Sequence, residues 1–186
     1  MDDDGPMSQV ALLVNPAARQ GRAASQVDRV LARLREHGVE PLVLDSSSAE
    51  VAQAAAHHAV AAGVERMVAF GGDGIAHLAT GAVAGTSTVL GIVAGGTGND
   101  AAEALGLAGG SLEDRVDRSL KAPTAVDVIT KVDDDGSLSR PSHAVTSCVA
   151  GFPAAVNVRA EAMRVPRGPS RYTVATLLGI PTMRPG

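Results

Sequence analysis

The chain has 186 residues, enough for one large domain or for one domain and part of a second. A formal net charge of −4 gives no basic footprint for nucleic acid, and the single Cys148 excludes an intramolecular disulfide and suits a reducing cytosol. Apolar residues make up 45% of the chain but aromatic residues only 2%, so the core must consist of Ala, Val, Leu and Ile. No apolar run approaches the ~20 residues of a membrane-spanning helix.

Short apolar runs alternate with helical patterns along most of the chain. Strands are predicted at the apolar runs, which are residues 9–14, 39–45, 67–70, 89–94 and 125–131. Helices are predicted where apolar residues recur at helical spacing or alanine dominates, which is at residues 22–37, 49–62, 75–84, 100–105 and 111–120. Gly38 and Gly63 are the expected helix stops. This alternation predicts an α/β fold with a mainly parallel sheet.

Two glycine-rich turns organise the sequence, and each follows directly after an apolar run. The first is Gly71-Gly72-Asp73-Gly74, and the second is residues 95–100, with the sequence GGTGND. Glycine adopts positive φ without steric cost and lets a ligand approach the main chain closely. A strand–turn–helix of this kind presents N–H groups at the positive end of a helix, which suits a phosphate. Ordinary turns also use glycine, but two such loops one strand–helix unit apart favour a phosphate site.

Four polar side chains within these turns indicate the chemistry. Thr97 and Asn99 offer neutral hydrogen-bonding groups, whereas the carboxylates of Asp73 and Asp100 would repel a bare phosphate. A carboxylate beside a phosphate is explained if it holds Mg²⁺ or accepts a proton from an attacking hydroxyl. The two loops therefore predict a nucleotide phosphate site with phosphoryl-transfer chemistry, and Asp73 is the catalytic candidate.

The pairing of GGDG at 71–74 with GTGND at 96–100 resembles the catalytic domain of the diacylglycerol kinase family of lipid kinases. That family is related to the NAD kinases, which share GGDG, but the GTGND loop favours the lipid-kinase branch. The Asn15-Pro16 turn and the segments at 126–128 and 164–168 are similar to family members as well. The resemblance implies a doubly wound, mainly parallel α/β domain that binds ATP and Mg²⁺, followed by a β-rich second domain.

The resemblance also implies which residues contact the nucleotide. They lie in the two glycine loops and at neighbouring strand and helix ends, and they are Asn15, Pro16, Ser46, Gly71, Gly72, Asp73, Gly74, His77, Gly96, Thr97, Gly98, Asn99 and Asp100. A structural role is the alternative for three of them, since Asn15 suits an Asx turn, Ser46 a helix cap and His77 an exposed helix surface. The sequence departs from the common family pattern at Ile75 and Leu78, where Thr and Glu are usual.

No residue cluster in the sequence predicts a metal site of its own. His57 and His58 are adjacent, so their side chains point about 100° apart on a helix and are expected to face solvent. The acidic run at 133–136 lacks the alternating acidic positions and the distal Glu of a calcium loop. It fits a polar hairpin turn between strands at 129–132 and 143–149 instead.

The change from strand–helix units to a hairpin predicts a domain boundary near residue 122. Residues 1–122 are expected to form the nucleotide-binding α/β kinase domain, and residues 123–186 the incomplete beginning of a β-rich second domain. Helices are predicted at 154–163 and 171–178. This segment is locally basic, and its charged side chains are expected either to face solvent or to contact a phosphate or an anionic membrane surface. By comparison with the family, we expect the acidic residue that serves as its final base to lie beyond this chain.

Two functions are expected from these observations. By resemblance, the chain is an ATP-dependent lipid kinase that transfers the γ-phosphoryl group to a lipid hydroxyl, with diacylglycerol as the expected acceptor. The alternative is a nucleotide-binding remnant without catalysis, and an NAD kinase is a less favoured third. The expected partner is a lipid at a membrane surface, with no nucleic acid and no transmembrane segment. The expected location is the cytoplasm, with peripheral contact at the inner membrane face, and the oligomeric state is not predicted.

Overall fold

The computed structural model describes residues 10–15, 22–96, 98–131, 142–148, 151–163, 165–166 and 170–182. The chain separates into two compact units, Met1–Thr146 and Ser147–Gly186. The domain boundary near residue 122 stays a prediction.

Four parallel strands form the sheet of the first unit. They are β1 (Val10–Val14), β2 (Leu42–Val43), β3 (Arg66–Gly71) and β4 (Val89–Ala94). Their order across the sheet is β2-β1-β3-β4, and every neighbouring pair is parallel. The mainly parallel α/β sheet that the sequence predicted is therefore confirmed.

Helices connect these strands and follow the last of them. They are α1 (Arg22–Glu36), α2 (Ala49–Ala61), α3 (Asp73–Val83), α4 (Asp100–Ala104) and α5 (Leu112–Ser119). Local sequence signals set several of their ends. Gly38, at φ +73°, follows α1, and the Ser48 side chain accepts the Val51 N–H at the start of α2. Ser111 and Asp114 form a capping box that starts α5.

The sheet buries a separate core on each of its faces. One face packs against α2 and α3, through buried residues that include Ala11, Leu13, Met67, Ala69, Ala52, Ala56, Ile75 and Ala79. The other face packs against α1 and α5, through buried residues that include Leu12, Val14, Val68, Phe70, Val93, Val30, Leu34 and Val116. Successive side chains of a strand point to opposite faces, so β1 and β3 contribute to both cores. Helices cover both faces, as a doubly wound fold requires.

β2 is shorter than the strand predicted at 39–45. Pro41 has no N–H to donate to the ladder, although Leu44 N still donates to Leu12 O at 3.0 Å. The chain then turns at Asp45, whose carboxylate accepts the Ser47 N–H at 3.0 Å. An edge strand with a proline at its start therefore pairs over fewer residues than its apolar pattern suggests.

β5 (Ile129–Lys131) and β6 (Ser142–Ala144) pair antiparallel, which confirms the predicted pairing. The strand predicted at 143–149 was too long, because the described residues 145–148 are not in a strand. The predicted strand at 125–131 is shortened at its start, where residues 121–127 are exposed. An apolar run that does not bury its side chains gains little from strand formation. Residues 132–141, which include the acidic run, lie outside the described residues.

The second unit is helical in the residues that the structure describes. α6 (Phe152–Ala162) and α7 (Ser170–Gly179) pack around Val156, Ala160 and Ala175, and a short 3-10 turn, Ile180–Thr182, follows. A Cβ on Gly179 would lie 2.9 Å from Cε2 of Phe152, so glycine allows the two helices to approach. Both predicted helices are confirmed. No strand occurs among the described residues of this unit, and the two strands found within the expected β-rich domain, β5 and β6, belong to the first unit.

Ion pairs attach α5 to α1. Arg29 Nη2 lies 2.7 and 2.9 Å from the two carboxylate oxygens of Glu113. Arg33 binds Asp117 through two nitrogens, each at 2.6 Å, and His37 Nε2 lies 2.8 Å from Asp117 Oδ1. Hydrogen bonds from Arg33, and then from His37, hold the pKa of Asp117 well below its usual range.

Asp117→Asn should lower stability at neutral pH and lose its effect in acid. The folded-state pKa lies below the unfolded value of about 3.9, so the paired carboxylate stabilises the fold above that pH. This stabilisation is lost as the pH falls toward the folded-state pKa. The urea midpoints of wild type and variant should therefore differ at neutral pH and converge below about pH 4. Asp28→Asn, at an exposed position of α1, is the control and should match wild type. A midpoint difference that does not change with pH would contradict the prediction.

Candidate functional site

The site lies at the carboxyl edge of the sheet, where the strand order reverses. β2 lies on one side of β1 and β3 lies on the other. Ligands of open α/β sheets bind outside the carboxyl ends of the strands at such a reversal. Asn15 follows β1 at this edge, and its backbone N donates to Phe70 O of β3 at 3.2 Å. Gly71 ends β3 beside it, which places the first glycine loop at the reversal.

The two glycine loops contact each other through their backbones. Gly95 N donates to Gly71 O at 2.8 Å, which extends the pairing of β3 and β4 into the loops. A Cβ on Gly96 would lie 2.5 Å from Cα of Gly72, far inside van der Waals contact. A Cβ on Gly95 would lie 2.4 Å from Cε2 of Phe70, because this ring lies directly beneath the second loop. Glycine at these positions therefore allows the loops to meet.

Asp73 joins the second loop to the first. It is the first residue of α3, and its two carboxylate oxygens accept the N–H groups of Asn99 and Ala101, both at 3.0 Å. We call this pair of hydrogen bonds the Asp73 latch. Its donors lie at the start of α4, where backbone N–H groups have no helical acceptor. Each carboxylate oxygen keeps a second lone pair for a metal ion or a hydroxyl group.

Asn99 shapes the second loop from within. Its backbone is left-handed, at φ 70° and ψ 34°, a conformation that asparagine tolerates better than most residues. Its Oδ1 accepts the Gly96 N–H at 2.9 Å, and its Nδ2 donates to Gly96 O at 2.8 Å. The side chain thus has a structural role that the sequence did not predict, and its contact with a nucleotide stays a prediction.

α3 begins at this edge without a side-chain cap, because its N-cap is Gly72. The helix starts at Asp73 rather than at the predicted Ile75, since Gly72 is extended and an acidic residue is favourable in the first turn. The N–H groups at the positive end of a helix attract anions. The uncapped start of α3 is therefore a candidate phosphate position.

A pocket of about 400 Å³ lies beside the start of α3. Its lining residues come from the end of β1 and the first turns of α2 and α3, and they are Asn15, Ala49, Ala52, Gly74, Ile75 and Leu78. The lining is mainly apolar, because Ala49, Ala52, Ile75 and Leu78 all contribute apolar side chains. Such a pocket suits an apolar or aromatic ligand group with few polar contacts.

Ser46 is fully buried, and its Oγ has no hydrogen-bond partner among the residues that the structure describes. It lies between β2 and α2, in the segment that leads to the same edge of the sheet as the pocket. A buried hydroxyl without a partner costs about 1–3 kcal/mol. Ser46 is not among the residues that line the pocket, so the ligand contact that the resemblance implies stays a prediction.

The other predicted site residues are exposed or undescribed. His77 is exposed on α3, one turn beyond Asp73, and Asp100 is exposed at the start of α4. Pro16 and Thr97 lie outside the described residues. Across the described ranges, no group of three or more His, Cys, Asp or Glu side chains is placed to hold a metal ion. The roles of these residues in binding stay predictions.

Arg115 of α5 contacts the base of the second loop. Its guanidinium donates to the carbonyl oxygen of Ala94, the last residue of β4, and to those of Ser111 and Gly110, at 3.2 Å each. The sequence did not indicate this residue. Its partners depend on how α5 packs against the sheet, which a local pattern does not specify.

Comparison with known proteins decides the family. The model of the family described as "Diacylglycerol kinase catalytic domain" matches residues 9–131, which include both glycine loops and Arg115. The chain belongs to the diacylglycerol kinase family. Two relatives named "Diacylglycerol kinase", from Mycobacterium tuberculosis strains CDC 1551 / Oshkosh and ATCC 25618 / H37Rv, are 32% identical to it over 179 residues. The match covers 96% of this chain and 57% of each relative.

A solved structure supports the diacylglycerol kinase fold. The crystal structure of a diacylglycerol kinase from Bacillus anthracis str. Sterne matches with a TM-score of 0.57 at 26% identity. The match covers 69% of this chain and 45% of that chain. This diacylglycerol kinase family member therefore spans about half the length of the proteins it matches. Among its described residues, no helix combines the length and the apolar character needed to cross a membrane.

Proposed function

We propose that this chain binds ATP at the junction of the two glycine loops and that the γ-phosphoryl group passes to a lipid hydroxyl, with diacylglycerol as the acceptor. The observation that carries the proposal is the Asp73 latch, which fixes the second loop beside the uncapped start of α3. A triphosphate needs several N–H donors gathered at one place. Membership of the diacylglycerol kinase family supports the reaction class.

The pocket beside α3 is the proposed position of the adenine base. Its volume of about 400 Å³ lies within the range of small-molecule sites. The apolar side chains of Ile75 and Leu78 would pack against the faces of the base, and Asn15, which also lines the pocket, would supply a polar contact. This arrangement would direct the phosphates toward Gly72 and the second loop.

We propose that carboxylate oxygens of this site, together with the phosphates, would hold Mg²⁺. Gly98 lies between two carboxylates, since a Cβ there would lie 2.9 Å from Oδ2 of Asp73 and 3.8 Å from Oδ1 of Asp100. Mg²⁺ is commonly held by one or two carboxylates together with substrate phosphates. When bound, the ion would neutralise charge on the phosphate oxygens.

The proposed transfer exchanges one phosphorus–oxygen bond for another. The acceptor hydroxyl oxygen bonds to the γ-phosphorus, the bond from that phosphorus to ADP breaks, and a carboxylate takes the hydroxyl proton. Within this chain, Asp73 is the residue that we propose orients the acceptor hydroxyl or the Mg²⁺ ion.

Nucleotide binding without transfer is the second candidate, and one observation favours it. The contacts that shape the site all come from residues between Asn15 and Arg115, within the first unit. A nucleotide site can therefore form from these residues, whereas transfer also needs an acceptor site. An NAD kinase is less favoured because of the GTGND loop.

Two measurements on the full 186-residue chain test the proposal. Calorimetric titration with ATP and Mg²⁺ tests binding, and transfer from labelled ATP to diacylglycerol in mixed micelles tests the reaction. NAD serves as the competing acceptor. Transfer to diacylglycerol supports the kinase, and binding without transfer to either acceptor supports the second candidate. Failure to bind ATP overturns both.

A lipid acceptor requires access to a membrane surface. We propose a cytoplasmic protein that contacts the inner membrane face peripherally. Sedimentation with phospholipid vesicles that contain diacylglycerol tests this location. A chain that stays in the supernatant at every vesicle concentration would contradict it.

Ser46→Ala should separate stability from nucleotide binding. The variant removes a buried hydroxyl without a partner, so the unliganded protein should be as stable as wild type or more stable by about 1 kcal/mol. The increase in Tm caused by ADP should be smaller in the variant than in wild type, because the contact between Ser46 and the nucleotide that the resemblance implies would be lost. Ser47→Ala, at an exposed neighbouring position, is the control and should change neither quantity. An unchanged ADP effect in Ser46→Ala would exclude the contact.

A further inference from the structure

We propose that Arg115 is a positioning residue, which orients the second glycine loop for phosphate binding. The proposal rests on the proposed nucleotide site and adds to it a side chain from α5, outside both glycine motifs. Arg115 acts through the backbone at the end of β4 and touches neither substrate nor cofactor.

Arg115 and Gly71 hold the two ends of one peptide group. The carbonyl oxygen of Ala94 accepts from the Arg115 guanidinium, and the N–H of the same peptide, on Gly95, donates to Gly71 O at 2.8 Å. A peptide group is planar, so fixing both ends sets the direction in which the chain leaves the strand. This peptide is the point where β4 passes into the glycine loop.

The glycines that follow this peptide need a fixed attachment. We call the hydrogen bond from the Arg115 guanidinium to Ala94 O the anchor of the loop. Gly95, Gly96 and Gly98 have wide conformational freedom, which allows the loop many arrangements besides the one that meets the first loop. The Asp73 latch fixes the far end of the loop, at Asn99 and Ala101. Arg115 fixes the near end, so the amides of Gly96 and Gly98 keep one arrangement before a ligand binds.

The guanidinium suits this task because of its rigid shape. Its N–H donors lie in one plane and point in fixed directions, which allows one side chain to bind several carbonyls at once. The carbonyls of Gly110 and Ser111, each at 3.2 Å, hold Arg115 itself in place. The bidentate pair of Arg29 with Glu113 in turn holds α5 against α1.

Arg118 provides a matched control on the same helix. Its guanidinium also binds backbone carbonyls, those of Leu107 at 2.6 Å and Gly109 at 3.0 Å. These acceptors lie between α4 and α5, so Arg118→Gln should lose similar hydrogen bonds without affecting the glycine loop. Arg115→Gln and Arg118→Gln should lower Tm by comparable amounts.

The decisive experiment compares ADP binding by the two variants, with calorimetry on the full chain. Arg115→Gln should weaken ADP binding by about tenfold, and Arg118→Gln should leave it within about twofold of wild type. Arg115→Lys should recover part of the loss, because an ammonium group can still donate to one carbonyl. Equal weakening in both glutamine variants would overturn the proposal, since it would indicate general destabilisation.

Hydrogen exchange of the unliganded protein separates this inference from the proposed function. Peptides that contain Gly95 and Gly96 should exchange faster in Arg115→Gln than in Arg118→Gln, whether or not the wild type binds ADP. Faster exchange with no ADP binding by the wild type would support the anchor and reject the nucleotide site. Equal exchange in the two variants would overturn the anchor, whatever the ADP affinity.

Discussion

Gly96→Ala should abolish measurable ATP binding and destabilise the fold. The added Cβ would lie 2.5 Å from Cα and 3.0 Å from N of Gly72, and backbone atoms cannot rotate away as a side chain can. The loops must therefore separate, which moves the second loop away from Asp73. We expect a loss of more than about 100-fold in ATP affinity. The free energy of unfolding should fall by about 1–3 kcal/mol. Calorimetry and urea denaturation measure the two effects.

Gly81→Ala is the matched control for this prediction. Gly81 lies inside α3, and a Cβ there meets no other atom within 4 Å. Because alanine favours a helix more than glycine does, this variant should gain about 0.5–1 kcal/mol of stability. Its ATP affinity should equal that of wild type. If Gly96→Ala bound ATP as the control does, the close approach of the loops would not be needed for binding.

Asp73→Asn should reduce phosphoryl transfer by more than about 100-fold. The amide keeps one oxygen acceptor but places an NH₂ group against a backbone N–H, so one of the two bonds of the Asp73 latch is lost. The variant also removes the negative charge that Mg²⁺ would meet. Transfer from labelled ATP measures the rate, and ADP titrations with and without Mg²⁺ separate the two causes.

The comparison with and without Mg²⁺ decides what Asp73 does. If the latch dominates, ADP affinity should fall in both conditions. If the carboxylate acts mainly on the ion, ADP affinity should fall only when Mg²⁺ is present. Asp114→Asn is the matched control, because the Asp114 carboxylate also accepts a backbone N–H at a helix start, from Ser111 at 2.8 Å. Its ADP affinity should not change, and normal transfer by Asp73→Asn would remove Asp73 from the site.

Local signals in the sequence predicted most of the fold. Apolar runs located the strands of the parallel sheet, and glycine or serine marked many helix ends, such as Gly38 and Ser48. The glycine motifs also predicted that the two loops meet, because parallel strands end at one edge of a sheet. β2 was predicted too long, since its pairing depends on Pro41 and on its edge position rather than on hydrophobicity alone.

The finer geometry of the candidate site could not be predicted, because it depends on contacts between distant segments. Asp73 was identified from its motif, but its bonds to Asn99 and Ala101 require the packed arrangement of α3 and α4. Arg115 lies in an unremarkable amphipathic helix, and only the position of α5 gives it Ala94 as a partner. The left-handed backbone of Asn99 likewise follows from the two hydrogen bonds that its side chain makes to Gly96.

The ring of Phe70 beneath Gly95 links the interior of the protein to its surface chemistry. Phe70 is 1% exposed and packs in the core shared with α1 and α5, yet its Cε2 marks the floor of the second loop. A smaller side chain at position 70 would let the second loop move toward the core, and a larger one would push the loop outward. Replacements in that core should therefore affect the proposed phosphate site, and interior volume and phosphate affinity should change together as related sequences diverge.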